Sequence, residues 1–315
     1  MDMVSKMSFK QPLIIDIEGN SRDDGPGIRS VVFFKGCPLN CLWCHNPESK
    51  KMEAELWWDR EKCVACGECM KVCPEGAISR DNLFFIDRNI CKRCFKCVEV
   101  CPSKALRCVG QEMSVDEIVR KVVRYKKFFD TSGGGVTLSG GEPTLFMEFT
   151  STLLKRLRDE GIHTLLETAG LFDFKQFESL VLPYVDMIFF DIKFIDSSEH
   201  ERYCGVKNER VLHNFILLHN KSQCGHFELL PRTPLIPEIT DTKKNIQATA
   251  DFYHKHQIKK TTLLPNNPAW INKLEMLGKK DIFDNKDPIR KFYDQEKEKK
   301  IKEYFSRHGV EASFG

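Results

Sequence analysis

The feature that most constrains this chain is the placement of its cysteines. Eleven of its 14 cysteines lie between Cys37 and Cys101, and only Cys108, Cys204 and Cys224 stand apart. In a reducing compartment, cysteines grouped at short spacing indicate metal ligands, whereas a disulfide framework is typical of short secreted chains. A chain of 315 residues is long enough to bury a core without such a framework. The cysteine pattern therefore predicts metal chemistry.

Eight of these cysteines form two runs with the same spacing, C-x₂-C-x₂-C-x₃-C-P. The first run contains Cys63, Cys66, Cys69 and Cys73, and the second contains Cys91, Cys94, Cys97 and Cys101. This is the spacing of bacterial ferredoxins, in which the fourth cysteine of each run serves the other cluster. We therefore expect one [4Fe–4S] cluster on Cys63, Cys66, Cys69 and Cys101, and a second on Cys73, Cys91, Cys94 and Cys97. Both clusters are fully ligated, so their predicted role is electron transfer.

The remaining group, C-x₃-C-x₂-C, follows an apolar strand pattern and consists of Cys37, Cys41 and Cys44. A structural zinc site needs four ligands, and the one nearby candidate, His45, is adjacent to Cys44 and poorly placed to join it. Three thiolates suit a cubane cluster that leaves its fourth iron open to a substrate. The alternative interpretation is a zinc loop or a set of buried thiols.

Outside the doubled runs, strand patterns alternate with helix patterns. The predicted strands cover residues 30–34, 136–139, 164–167, 187–191, 227–230 and 261–264. A capping box opens a helix at Ser114, a second helix covers 150–160, and a charged helix covers 287–308. Such alternation indicates an α/β fold with a parallel sheet. Six strands are too few for a closed barrel of eight, so they predict a partial (β/α)6 barrel, built from 1–56 and 109–315, with residues 57–108 as an insertion.

Composition limits the classes of partner. The hydrophobic fraction is 41%, the charged fraction is 30%, and the net charge is +3. These values are those of a soluble globular protein and give no reason to expect nucleic acid or an anionic membrane as a partner. No run of 18 apolar residues occurs, and the segment 1–10 lacks the apolar stretch of a secretory signal. We therefore expect a cytoplasmic protein.

Several of these motifs together resemble a known family. The segment 24–29 (DGPGIR), Phe33 and the segment 36–46 are similar to the N-terminal signature of the glycyl radical enzyme activating enzymes, within the radical SAM superfamily. The resemblance spans nearly the whole chain. It implies a radical-SAM barrel with an inserted ferredoxin-like 2[4Fe–4S] domain, and therefore three [4Fe–4S] clusters and S-adenosylmethionine as cofactors.

The resemblance also implies roles for individual positions. Those implied to hold the catalytic cluster are Cys37, Cys41 and Cys44. Those implied to bind S-adenosylmethionine are Ser139, Gly140, Gly141, Glu142, Glu167, Thr168, Asp191, Lys193 and Arg232, with Asp191 and Lys193 also catalytic. The chain departs from the family pattern at Glu238, where relatives often have glycine, and at Asn266-Asn267, where they often have Tyr-His.

The implied activity is reductive cleavage of S-adenosylmethionine to methionine and a 5′-deoxyadenosyl radical, which abstracts a Cα hydrogen from a glycine of a partner glycyl radical enzyme. Pyruvate formate-lyase activators typically lack the insertion, so the resemblance favours a dehydratase, a decarboxylase or a C–C-forming lyase as the partner. A flavodoxin or ferredoxin would supply the electron. Two alternatives remain at this point: a radical enzyme acting on a small molecule or peptide, and a ferredoxin-type electron carrier.

Overall fold

The computed structural model describes residues 11–315 of the chain. Within these residues the largest element is a nine-stranded sheet, in which six parallel pairings join seven neighbouring strands. The segment 1–10, on which the expectation of a cytoplasmic protein rests, lies outside the described residues. Among the helices of residues 11–315, none is long and apolar enough to cross a membrane.

The strands of this sheet, in the order in which they lie side by side, are β11 (Glu311–Phe314), β10 (Lys260–Pro265), β9 (Glu228–Leu235), β8 (Met187–Asp191), β7 (His163–Thr168), β6 (Gly135–Gly140), β2 (Arg29–Lys35), β1 (Leu13–Ser21) and β5 (Gln111–Glu112). β1 runs antiparallel to both of its neighbours. Two further strands, β3 (Glu55–Trp58) and β4 (Leu106–Val109), form a separate antiparallel pair. The architecture is therefore α/β with a mostly parallel sheet, as predicted.

The α-helices are α1 (Glu68–Val72), α2 (Lys96–Glu99), α3 (Val115–Val122), α4 (Lys126–Ser132), α5 (Met147–Asp159), α6 (Phe174–Leu180), α7 (Ser197–Cys204), α8 (Glu209–Ser222), α9 (Lys243–Lys255), α10 (Trp270–Met276) and α11 (Gln295–Arg307). The predicted capping box at the start of α3 is confirmed. The Ser114 hydroxyl accepts from the Glu117 N–H at 3.3 Å, and the Glu117 carboxylate accepts from the Ser114 N–H at 2.8 Å. The reciprocal pair satisfies two N–H groups that the helix itself leaves free.

The main hydrophobic core lies between the parallel strands and their helices. β2 and β6 are buried along almost their whole length, as expected for strands covered on both faces. α5 packs Leu153, Leu154 and Leu157 onto the sheet, and all three side chains are fully buried. This packing holds the strand ends at fixed positions, which matters because the candidate site lies there.

All six predicted strands are present, and the parallel part continues by one more strand, β11. The four residues of β11 are too few to give a clear alternation in the sequence. β9 is also longer than predicted, since it continues beyond Pro231 to Leu235. Its last residues pair with β10, with Arg232 opposite Thr262 and Leu235 opposite Pro265, and this pairing keeps the strand extended past its prolines.

The predicted charged helix over 287–308 was wrong in its first part. Pro288–Arg290 forms a 3₁₀ turn, and α11 begins only at Gln295. The helix starts there because the Asp294 side chain accepts from the Lys297 N–H at 2.9 Å, the usual role of an N-cap aspartate.

β3 and β4 enclose a small unit made of residues 59–105. Its packing is limited to a few apolar side chains and the cysteines, with the rings of Trp58 and Phe85 stacked 4.5 Å apart. The unit joins the main sheet at Glu55, whose carboxylate pairs with the fully buried Lys35 of β2 at 2.8 Å. A segment with so few buried apolar side chains gains little stability from apolar burial.

Candidate active site

The first cysteine group lies on the loop after β2 and consists of Cys37, Cys41 and Cys44. Gly36 opens the loop at φ 114°, a backbone conformation that strains any residue with a side chain. The Asn40 N–H donates to the Cys204 carbonyl at 2.7 Å, and the Leu42 N–H donates to the Tyr203 carbonyl at 3.0 Å. Helices leave their last carbonyls without internal partners. The end of α7 therefore holds the cysteine loop in place.

The three thiols of this loop differ in how readily they ionise. Burial raises the pKa of Cys37 well above its ordinary value and raises the pKa of Cys44 to about 11. Cys41 accepts a hydrogen bond from the Cys204 thiol, and this bond, helped by Lys193 and opposed by burial, lowers the pKa of Cys41 to about 7. Metal ligation needs thiolates, so Cys41 is the member of the group best prepared for it.

The chemistry of this donor set fits a cluster better than a single ion. Among residues 11–315, no three His, Cys, Asp or Glu side chains converge closely enough to hold one metal ion. A zinc ion needs its thiolates about 2.3 Å from one centre. A cubane takes one thiolate at each of several iron corners, which keeps the sulfurs further apart. Three thiols on one loop therefore suit a [4Fe–4S] cluster with one iron free of protein ligands.

The segment 139–143 ends β6 and lies directly against the cysteine loop. The Gly141 N–H donates to the Phe34 carbonyl, and the Glu142 N–H donates to the Gly36 carbonyl, both at 2.8 Å. A Cβ on Gly141 would lie 2.1 Å from the Gly36 oxygen, so no side chain fits there. The glycines of this motif let two loops of the site approach each other closely.

Glu142 is buried and joins the loops that follow β6 and β7. Its Oε1 accepts from the Thr144 N–H at 3.2 Å and from the hydroxyls of Thr144 and Thr168 at 2.8 and 2.9 Å. Its Oε2 accepts from the Ala169 N–H at 2.7 Å. Burial raises the pKa of Glu142 despite these four hydrogen bonds. Oε2 retains the capacity to accept from one more donor, such as an ammonium group.

Four charged side chains form a closed network beside these loops. Arg232 lies 2.5 Å from Glu167 and 2.9 Å from Asp191, and Lys193 lies 3.1 Å from the other oxygen of Asp191. The Ser139 hydroxyl donates to Glu167 at 2.5 Å. Two carboxylates and two cations thus balance within one largely buried group, which is the condition under which buried charges are tolerated.

The network keeps its members ionised. Burial alone would raise the pKa of Asp191, but Arg232 and Lys193 hold it below its usual value. Burial also opposes the charges of Lys193 and Arg232, yet the neighbouring carboxylates raise both pKa values. Cys41 contributes to the raised pKa of Lys193, which places the ammonium group near the cysteine loop. Such preset charges can bind a zwitterionic ligand without reorganising.

Arg232 does not lie where the strand predictions placed it. It was expected just past a strand end, but it lies within β9, paired opposite Asp191 of β8. Its guanidinium group sits 4.9 Å from the centre of the Phe189 ring, a favourable cation–π distance. The register of two strands therefore positions Arg232. The remaining S-adenosylmethionine positions implied by the resemblance lie at, or within two residues of, the carboxyl ends of β6, β7 and β8.

Cys204 is a residue of this site that the sequence did not reveal. It stands apart from the cysteine groups in the sequence, but it is fully buried and donates to Cys41. Nothing in the local sequence marks it, because its contact joins positions more than 160 residues apart.

The two departures from the family pattern have structural explanations. Glu238 adopts φ 63°, the left-handed conformation that glycine favours, and its N–H donates to the Asp241 carboxylate at 2.6 Å. Asn266 is buried and donates to the carbonyls of Ile289 and Lys291 at 2.8 and 2.9 Å. Asn266 thus anchors the segment that leads to α11.

The two longer cysteine runs form two separate groups in space. One cavity, of about 520 Å³, has Cys63, Cys66, Cys69 and Cys101 in its walls. A second, of about 10 Å³, has Cys73, Cys91, Cys94 and Cys97. Each group takes three thiols from one run and one from the other, which is the partition that the spacing predicts.

The two runs also share their backbone conformation. Ala65 and Arg93, at matched positions, have φ values of 55° and 54°, and the matched Gly67 and Phe95 have 82° and 59°. A short helix begins directly after each pair, α1 in the first run and α2 in the second. The repeat in the sequence is therefore a repeat in the structure.

Comparison with known proteins identifies the superfamily. Residues 31–253 match the family model of the Radical SAM superfamily. The fold is similar to that of a radical SAM methyltransferase from Sphaerobacter thermophilus, with a TM-score of 0.55 and 12% identity, over 100% of this chain and 80% of that one. At so low an identity the similarity concerns the fold alone.

Curated relatives are similar at higher identity. The chain is 36% identical over 312 residues to the (2S)-3-sulfopropanediol dehydratase activating enzyme of Klebsiella oxytoca, covering 96% of both chains. It is 39% identical over 273 residues to the trans-4-hydroxy-L-proline dehydratase activating enzyme of Clostridioides difficile, covering 85% of this chain and 89% of that one. The chain therefore belongs to the radical SAM superfamily and, within it, to the family that contains these activating enzymes.

Proposed function

We propose that this protein is a glycyl radical enzyme activating enzyme, an oxidoreductase of the radical SAM type. Membership of the superfamily implies a [4Fe–4S] cluster and S-adenosylmethionine. When bound, they supply reductive cleavage of the sulfonium and hence the radical chemistry that removes a Cα hydrogen from a glycine of the partner. The observation that carries the proposal is the contact between the three-cysteine loop and the glycine-rich segment, where the Glu142 N–H donates to the Gly36 carbonyl at 2.8 Å.

Different residues of the site have different proposed roles in this reaction. The thiolates that hold the cluster are those of Cys37, Cys41 and Cys44. The segment 139–142 and the Glu142 carboxylate receive the amino group of the ligand. Thr168 and the network of Glu167, Asp191, Lys193 and Arg232 bind and orient the rest of it. Asp191 and Lys193 are the members assigned a catalytic role, because Lys193 lies near both Asp191 and Cys41. A buried site of this kind also excludes water from a reactive species.

The partner that we propose is a glycyl radical enzyme. Two relatives of this chain are named as activators of dehydratases, and a third as the choline trimethylamine-lyase activating enzyme. These names favour a dehydratase or a lyase. Glycine suits the reaction because it has no side chain, so its Cα can enter a narrow site, and flanking amides stabilise the resulting radical.

We further propose that residues 57–108 form a ferredoxin-like domain with two more [4Fe–4S] clusters, inserted between 1–56 and 109–315 of the partial barrel. The crossed grouping of eight cysteines around two cavities supports this assignment. With every iron ligated by protein, the clusters would serve in electron transfer from a flavodoxin or ferredoxin.

The substitution Cys41→Ala tests the assignment of the first cysteine group. Removing one of three thiolates leaves the cluster without adequate ligation, so we expect 5′-deoxyadenosine formation to fall to background. The measurement uses protein reconstituted anaerobically with iron and sulfide, then treated with dithionite and S-adenosylmethionine. Cys224→Ala, which changes an exposed thiol, is the matched control and should retain full activity. Retained activity in Cys41→Ala would remove the assignment.

Electron paramagnetic resonance separates the activating enzyme from the alternatives. Incubation with a panel of purified dehydratases and lyases of the glycyl radical class should give a glycyl signal with at least one of them, and none when the partner is omitted. An electron carrier would form no 5′-deoxyadenosine. An enzyme acting on small molecules or peptides would form it without producing a glycyl signal on any partner.

A further inference from the structure

The two cluster loops of the proposed insertion share a backbone but differ in charge. The first loop, 63–69, reads C-V-A-C-G-E-C, and the second loop, 91–97, reads C-K-R-C-F-K-C. The matched positions that differ in charge are Val64 and Lys92, Ala65 and Arg93, and Glu68 and Lys96. One glutamate gives the first loop a formal charge of −1, whereas two lysines and one arginine give the second loop +3. Because the backbones match, the difference lies in the side chains.

The three cations of the second loop face solvent. Lys92, Arg93 and Lys96 are all exposed, and Cys94 between them is exposed as well. Within residues 11–315, none of these three cations takes part in an ion pair or a side-chain hydrogen bond. In the first loop, by contrast, Glu68 is paired with Lys71 at 2.7 Å. The second loop therefore carries three cations that no carboxylate pairs with in the described part of the chain.

The second cysteine group is also connected to the rest of the chain outside the insertion. Leu56 lies in the wall of its cavity. Leu56 directly follows Glu55, the β3 residue whose carboxylate pairs with Lys35 of β2. Arg88, three residues before Cys91, donates to the carbonyls of Leu56 and Met276, both at 3.2 Å. Cys94 thus exposes this group to solvent. Arg88 connects the adjoining segment to α10, which lies outside the insertion.

Electrostatics decide which loop an anionic protein approaches. A [4Fe–4S] cluster with four thiolates is itself negatively charged, so it repels an acidic donor. Within a Debye length, about 10 Å at moderate salt, the three cations of the second loop offset this repulsion. The first loop itself carries no cation, and Arg80, which donates to its Ala65 carbonyl at 2.6 Å, reaches it from outside. A local patch of one sign raises the association rate of an oppositely charged partner by about 10- to 1,000-fold.

We propose that the loop 91–97 is the docking surface for an acidic one-electron carrier protein, and that the electron enters at the cluster ligated by Cys94. One electron leaves the reduced carrier and enters the oxidised cluster, and no bond is formed or broken. The proposal rests on the proposed function of the insertion, and it assigns the two clusters unequal access to the donor.

The test compares two double variants with the same change in charge. K92Q/R93Q removes two positive charges from the second loop, and V64E/A65E adds two negative charges at the matched positions of the first. The probe is a recombinant flavodoxin with a net negative charge. Its binding to the anaerobically reconstituted protein is measured by calorimetry, and cluster reduction by reduced flavodoxin is measured by stopped-flow absorbance. K96Q, on α2, is an additional variant of the second loop.

At low ionic strength we expect K92Q/R93Q to weaken binding and slow reduction about tenfold, K96Q to act in the same direction, and V64E/A65E to change either quantity less than twofold. The loss should diminish as salt is raised, because screening removes the steering. An equal loss in both double variants, or a larger one in V64E/A65E, would overturn the proposal.

Reduction by dithionite separates this proposal from the proposed function. Dithionite is a small reductant that needs no protein docking surface, so it should reduce the wild type and the variants alike, with unchanged iron content. If dithionite reduces no cluster in the insertion of the wild type, the electron-transfer function of the insertion fails. If dithionite reduces all proteins equally and flavodoxin does not distinguish the loops, the docking surface alone fails.

Discussion

The Cys204 thiol is the side chain near the first cysteine group whose effect is easiest to isolate. It is fully buried, it donates to Cys41, and its carbonyl accepts from the Asn40 N–H at 2.7 Å. A hydrogen bond to a ligating sulfur stabilises the additional negative charge of a reduced cluster. Cys204 is thus a positioning residue that acts through Cys41 and does not itself ligate iron.

We expect Cys204→Ala to lower the reduction potential of the first cluster. Loss of a hydrogen bond worth about 1 kcal/mol corresponds to roughly 40 mV for a one-electron couple. A redox titration followed by electron paramagnetic resonance measures the shift, with Cys224→Ala as the control that should leave the potential unchanged. Cys204→Ser keeps a donor and should restore most of the potential. An unaltered potential in Cys204→Ala would show that the hydrogen bond does not persist once iron is bound.

At the level of secondary-structure elements, Arg29 connects the starts of β2, β6 and β7. Its Nε donates to the Thr137 hydroxyl at 2.7 Å, one Nη donates to the Val136 carbonyl at 2.8 Å, and the same Nη lies 3.4 Å from the His163 ring. Burial lowers the pKa of Arg29 to about 10, so it remains charged at neutral pH. By fixing three adjacent strands at one end, it helps to align their opposite ends, where the site is built.

The environment of His163 predicts a pH dependence of stability. Burial, and then the charge of Arg29, lower the pKa of His163, although Asp186 and Glu228 act in the opposite direction. Because the unfolded chain has the higher histidine pKa, near 6.5, it takes up the proton first. The contribution of His163 to the free energy of unfolding should therefore have its full value above about pH 6.5. It should decrease as the pH falls below that value.

Urea unfolding of the anaerobic protein between pH 7 and pH 5 measures this slope. His163→Gln should make the decrease shallower, since it removes one group that must be protonated on unfolding. His213→Gln changes an exposed histidine and should leave the slope as in the wild type. A slope that is identical in His163→Gln and in the wild type would contradict the assignment.

For the molecule as a whole, the decisive arrangement is the contact between the cysteine-rich unit and α10. Trp57 and Val109, at the base of the unit, pack with the buried Leu277. Arg88 adds the hydrogen bond to the Met276 carbonyl at 3.2 Å. Lys273, also on α10, donates to the His45 carbonyl at 2.8 Å. α10 and the residues that follow it thus contact both the unit and the end of the first cysteine loop.

We expect Arg88→Ala to loosen this contact. Loss of hydrogen bonds from a charged donor costs about 1.5–3 kcal/mol, so amide hydrogen exchange in residues 274–279 should accelerate roughly tenfold or more. Hydrogen exchange followed by mass spectrometry measures the change. Arg80→Ala is the matched control, because Arg80 donates to the Ala65 carbonyl within the unit and should leave exchange in 274–279 unaltered. Equal exchange in both variants would mean that Arg88 does not hold the unit in place.

Prediction from the sequence succeeded where neighbouring residues carry the information. The capping box at Ser114 depends on two side chains in one turn of helix, and all six predicted strands are present. It was less accurate where distant pairing decides the outcome. β9 continues past Pro231 because β10 pairs with it, and Arg232 therefore lies inside a strand. One local feature was also missed, since the helix predicted from residue 287 begins only at Gln295, where Asp294 caps it.

The sequence by itself determined the cysteine groups, the alternation of strands and helices, and the family. Each of these features lies within short segments whose spacing does not depend on the rest of the chain. The tertiary structure decided which of these segments meet. It brought Cys204 to Cys41 and paired Arg232 with Asp191. Such contacts follow from strand register and helix packing, which are set by the burial of the whole core and not by any local run of residues.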